Sequence, residues 1–228
     1  MKRGITILAL VTGLLLSFAL YEALIVAPTE RTMGDVQRIF YYHVPSAWTA
    51  FLLFLINFVS SVVFLIRRNT KADILALVTA EVGVVFCTVV LVTGPIWARP
   101  VWGIWWAPGD IRLTTTLVLW LIYVSYLVLR RFSTSGQTPV IAAVVAIFGA
   151  LDVPLVYFSI WFFRTQHPSP VIGSGGSLDP RMAVVLLINW AAFLCLAGLV
   201  CWTRYLLEIA KREVEEAEAL ESLYEGSR

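Results

Sequence analysis

Histidine is the scarcest residue of this chain, with two in 228 positions, His43 and His167. Cysteine is nearly as rare. Cys87, Cys195 and Cys201 all lie inside apolar runs, and no C-x-x-C or other metal-ligand spacing is present. A bare zinc or copper site needs three or four protein ligands, which the chain does not offer, and thiol–disulfide chemistry lacks its motif; the cysteines read as small buried hydrophobes. Charge is sparse too. Charged residues make up 14% of the chain against 59% hydrophobic, and mean hydropathy is +0.83, a balance that excludes an ordinary soluble domain.

The few charges are clustered, and the uncharged runs between them reach the roughly 20 apolar residues that cross a hydrocarbon core about 30 Å thick. The fold class is therefore all-α: a polytopic membrane protein, a bundle of six transmembrane helices, expected at about 5–27, 45–66, 72–96, 111–129, 138–161 and 182–204. Pro28, Pro45, Pro108 and Pro180 fall at or near these helix ends, where proline is tolerated. Lys2 and Arg3 before an apolar run imitate a signal peptide. The run continues to about Ala27, however, beyond the about 7–15 residues of a signal core, and reads as a retained first helix.

Orientation follows from the distribution of cations. Lys2, Arg3, Arg67, Arg68, Lys71, Arg130, Arg131, Arg204, Lys211 and Arg212 mark one set of helix ends. Arg31, Arg38, Arg99, Arg112, Arg164 and Arg181 are spread over the longer loops of the other. This predicts cytoplasmic N- and C-termini, with His43, the tryptophan-rich connection and His167 all on the external face. Residues 1–204 form the transmembrane domain, with an external loop at about 97–114. Residues 205–228 form a charged cytoplasmic helical tail holding seven of the fifteen acidic residues. The tail reads as a solvated extension of the last helix, with partner docking as the alternative. No nucleic-acid partner is expected; the one certain surround is the lipid bilayer.

Four of nine tryptophans stand between Trp97 and Trp106, in W-A-R-P-V-W-G-I-W-W. Interface anchoring accounts for Trp48, Trp161 and Trp202. It accounts poorly for Trp97, Trp102, Trp105 and Trp106 together, where one or two rings would serve. With Gly103 and Gly109 beside them they suit a platform for a large flat ligand. A lone boundary histidine is usually a solvated or hydrogen-bonded side chain. Two at matching depth beside an aromatic shelf are suited to haem, whose own four nitrogens leave only axial positions to fill. Arg99 and Arg112 bracket the loop and could pair with carboxylates such as haem propionates; headgroup contacts or an Asp110–Arg112 pair are the plainer alternatives. Glu22, Glu81 and Asp152 lie in or near spans, where ionisable groups are costly. A structural partner inside the bundle is the first expectation for Asp152.

The stretch W-G-I-W-W-A-P-G-D-I-R-L-T, Trp102 to Thr114, resembles the tryptophan-rich "WWD" signature of haem-handling membrane proteins. Y-H-V-P-S-A-W (Tyr42–Trp48) and L-D-V-P-L-V-Y-F-S…R-T-Q-H (Leu151–His167) resemble the CcmC branch of cytochrome c maturation proteins. The family pattern generally has a third tryptophan directly before the aspartate; here Ala107-Pro108-Gly109 separates Trp106 from Asp110. The resemblance implies a protein of the cell inner (cytoplasmic) membrane that binds haem b on the external, periplasmic side and is no enzyme. His43 and His167 would be the axial iron ligands, and Trp102, Trp105, Trp106, Asp110, Arg99 and Arg112 would contact the cofactor. It further implies transfer of haem to the chaperone CcmE, with the ABC transporter CcmAB and the small membrane protein CcmD as companions. Two rivals remain: a haem lyase of the same superfamily, which generally has more spans and histidines, and a permease, which would need a polar path, for example one lined by Glu22, Glu81 and Asp152.

Overall fold

The computed structural model describes residues 2–163, 166–167 and 178–225. Among these it has six helical spans long and apolar enough to cross a membrane: Arg3–Val26, Asp35–Arg67, Thr70–Trp102, Ile111–Phe132, Thr138–Phe162 and Pro180–Tyr224. The main helices are α1 (Lys2–Tyr21), α2 (Phe40–Arg67), α3 (Thr70–Trp102), α4 (Ile111–Phe132), α5 (Thr138–Ala150), α6 (Asp152–Phe162) and α7 (Pro180–Glu225). A π-helical turn, Glu22–Val26, ends the first span, and a 3₁₀ turn, Asp35–Ile39, leads into α2.

Local chemistry sets the ends. Arg68 takes a left-handed conformation (φ 52°) and returns its N–H to Phe64 O at 2.8 Å. The next residue, Asn69, accepts from the N–H groups of Lys71 and Ala72 and so caps α3. Reversal in two residues packs α2 and α3 antiparallel along their lengths. Gly83 makes that approach possible, since a Cβ there would stand 2.7 Å from the Phe54 ring. Phe54 in turn stacks on Tyr123 of α4, ring centroids 3.8 Å apart. These rings, with Leu119, Tyr126, Ala142 and Ala146, are the centre of the core. One span is broken: α5 and α6 meet at Leu151, three residues before Pro154, which has no N–H to offer the carbonyl four residues back.

Helix ends depart from expectation at the tryptophan-rich side of the bundle. α2 begins at Phe40 and runs through Pro45, so His43 sits in its first turns rather than in a preceding loop. α3 continues through Pro95 and Pro100 to Trp102, where Gly103 (φ 76°) closes it with an N–H bond to Arg99 O. Trp97, Arg99 and Trp102 are therefore helical, and the connection proper spans only 103–110. Proline permits this because each one costs a single ladder bond, and the long apolar face on either side keeps the helix packed.

At the opposite end the last helix does not stop at residue 204. α7 continues unbroken to Glu225, and its first turns beyond the apolar span are tied down by ion pairs. Asp73 of α3, 3% exposed, receives Arg130 of α4 through two bonds (2.6 and 2.8 Å) and Arg212 of α7 at 3.0 Å. Glu208, itself buried, bonds Arg212 at 3.2 Å, and Arg204 pairs bidentately with Glu81 at 2.8 Å. Glu81 is thus a structural partner within the bundle. Beyond Arg212 the helix is predominantly exposed.

Candidate functional site

A cavity of about 360 Å³ opens at the tryptophan-rich end, between α2, α3, α4 and α6. Both histidines line it. So do Trp97, Trp102, Trp106 and Arg112, together with Met33, Phe40, Tyr157 and Gln166, and Cys87 and Val156. A site of this volume, mostly apolar with a few convergent polar groups, suits a small-molecule ligand.

His43 reaches the cavity from α2. Its Nδ1 lies 2.9 Å from Thr93 Oγ1 on α3, and its ring makes a T-shaped contact with Trp97, centroids 5.8 Å apart. His167 reaches it from the segment after α6. Its ring meets Trp102 edge-on at 5.3 Å, and its Nδ1 lies 3.6 Å from Asp110 Oδ1, beyond hydrogen-bond length. Burial, reinforced by the nearby Arg112 charge, holds the His167 imidazole below its ordinary range, against the opposing pull of Asp110. It is therefore neutral at neutral pH, the state in which an imidazole can ligate a metal.

Asp110, 3% exposed, stands behind the cavity. One carboxylate oxygen caps α4, accepting from Arg112 N at 3.0 Å and Leu113 N at 3.2 Å. The other accepts from Gln166 N at 2.7 Å. It thereby ties the residue next to His167 to the start of α4, and its link to Arg112 is through the backbone. Ala107-Pro108-Gly109 make the turn that delivers it, closed by Asp110 N to Ala107 O at 2.9 Å.

The remaining expected residues divide. Arg112 is on the cavity wall with no ion pair among the described residues, its guanidinium free for an anionic ligand group. Arg99 is exposed and bonds the Gly103 carbonyl, closing its own helix outside the cavity. Trp105, 60% exposed, does not line it. Arg164 lies outside the described residues. Glu22, Glu81 and Asp152 do not line the cavity. Asp152 is buried at the start of α6, with Oδ2 unpartnered among the described residues.

Sequence reasoning missed Thr93, Gln166 and Met33. A threonine in an apolar span carries no motif, although its place one helical turn before Trp97 was visible. Arg38 was counted only as a cation. It also braces the connection behind α2, bonding Ala23 O at 2.8 Å and Asp35 Oδ1 at 3.0 Å.

Fold and site together define a multi-pass helical membrane protein whose bundle ends in an aromatic cavity carrying two histidines and an arginine. The chain belongs to the CcmC family, heme exporter protein C, whose family model matches residues 1–220. Among similar proteins, heme exporter protein C of Bradyrhizobium diazoefficiens is 32% identical, covering 94% of this chain and 82% of its own. A cytochrome c biosynthesis ccmC-like mitochondrial protein of Marchantia polymorpha is 32% identical over 81% of this chain and 79% of its own. Heme exporter protein C of Escherichia coli is 30% identical over 73% and 67%.

Proposed function

We propose that this chain binds haem b at the external face of the inner (cytoplasmic) membrane and presents it to the chaperone CcmE during c-type cytochrome biogenesis, without catalytic turnover of its own. One observation carries the reading: His43 and His167, 124 positions apart in sequence, line one cavity, each in T-shaped contact with a tryptophan ring. The donor set fits the cargo. Haem supplies four equatorial nitrogens and needs only axial ligands, which two imidazoles would provide. Trp97, Trp102 and Trp106 supply aromatic walls, and Arg112 is suited to a propionate. Asp110 contributes by holding the His167 segment. Arg99 shapes the end of α3, and exposed Trp105 is suited to meeting the acceptor.

The distribution of cations supports an external cavity and a cytoplasmic 205–228 tail. Family membership supports a place in the haem-handling system, with CcmAB and CcmD as companions. A permease reading loses ground because none of Glu22, Glu81 and Asp152 reaches the cavity. The test is transfer. In membranes containing the chain with CcmE, His43→Ala or His167→Ala should abolish covalently haem-stained CcmE while the chain still inserts. Undiminished staining in both variants would remove haem presentation from its function.

A further inference from the structure

The two histidines are held differently, and the difference lies in a residue outside the tryptophan motif. His43 Nδ1 and Thr93 Oγ1 are 2.9 Å apart, and Thr93 Oγ1 is also 2.7 Å from Val89 O in its own helix. A hydroxyl has one proton to give. Several threonines of this bundle direct it to the carbonyl four residues back at the same spacing, including Thr88 to Val84 O and Thr116 to Arg112 O, each at 2.7 Å. With the Thr93 proton directed to Val89 O, the hydroxyl oxygen is left as an acceptor, and His43 Nδ1 must be the donor.

From this we infer that Thr93 is a positioning residue for haem ligation: it fixes the Nδ1–H tautomer of His43 and leaves Nε2 as a bare lone pair for the iron. The inference rests on the haem reading given above. It deepens that reading by making ligand competence of His43 depend on α3. Ring rotation is limited as well. Trp97, one turn beyond Thr93, packs against the ring, and the Gly94 backbone lies close enough that a Cβ there would meet His43 Cε1 at 3.5 Å. A hydrogen bond of this kind, on the nitrogen away from the metal, sets both orientation and basicity of a histidine ligand. Among the described residues His167 has no equivalent hydroxyl; its Nδ1 faces the Asp110 carboxylate at 3.6 Å.

The experiment compares haemin titrations and the midpoint potential of the bound haem in the purified full chain, as wild type, Thr93→Val, Thr93→Ser and His43→Ala. Without the acceptor, the imidazole can move its proton to Nε2, and a retained ligand is less basic. Thr93→Val should therefore bind haem about 10- to 100-fold more weakly and raise the potential. Thr93→Ser should restore both, which a role in packing the β-branched side chain would not. Thr93→Ala repeats the deletion without the extra methyl, should the valine variant fail to fold. Wild-type affinity and potential in the valine or alanine variant, beside lost binding in His43→Ala, would overturn the role of Thr93 and leave the haem reading standing. Wild-type haem binding in His43→Ala would overturn the haem-ligand reading itself.

Discussion

Arg112 and Arg99 look interchangeable along the chain, each flanking the tryptophan run, yet only Arg112 faces the cavity while Arg99 closes its own helix. Arg112→Gln should weaken haem binding by tenfold or more, since a hydrogen bond to a charged group is worth about 1.5–3 kcal/mol. Arg99→Gln should leave affinity near the wild-type value. Haem with both propionates esterified is the control: its binding should be insensitive to Arg112→Gln. An equal loss for both haem forms would show that Arg112 acts on the fold and not on the propionates. The tryptophans separate in the same way. Trp102→Ala and Trp106→Ala should lower haem affinity, whereas Trp105→Ala should preserve the haem spectrum and reduce transfer to CcmE. What the sequence could not separate at this scale is direction: Trp105 and Trp106 are neighbours in the non-helical 103–110 connection, yet of the two only Trp106 lines the cavity.

At the scale of the element, apolar run length located all six spans, since crossing a membrane demands it. The same rule was blind to where helices end. Prolines at 45, 95 and 100 fall inside α2 and α3 because packing outweighs the loss of single ladder bonds. Two close approaches should dominate element stability. Gly83→Ala would place a methyl 2.7 Å from the Phe54 ring, which cannot retreat because it stacks on Tyr123. It should lower unfolding stability in mixed micelles by about 1–3 kcal/mol. Asp73→Ala should cost about 3 kcal/mol or more, because Arg130 and Arg212 would lose a buried counter-charge. Denaturant titration in micelles measures both; a change below half a kilocalorie in either would contradict these packing arguments. The Asp73 cluster escaped the sequence because its members lie 57 and 139 positions apart, with no motif joining them.

Over the whole molecule, the bundle separates two kinds of ending. One end holds an aromatic cavity lined by two histidines and an arginine. The other ties α3, α4 and α7 together with ion pairs centred on buried Asp73 and half-buried Glu81, and sends α7 onward as an exposed acidic helix. The scarcity of histidine made the cavity end legible early, because two imidazoles and a cluster of tryptophans left few other chemistries to consider. The Thr93 contact and the bracing by Asp110 became visible only when α2, α3 and α4 were brought side by side. Haem ligation by His43 and His167 is the proposed role on which the others depend. Its most direct test is the visible absorption spectrum of the purified, haem-loaded protein beside that of the His43→Ala/His167→Ala double variant. A haem band in the wild type that is lost or shifted in the variant is the predicted result. A wild type that takes up no haem when supplied with it, or a variant with an unchanged band, would contradict the account.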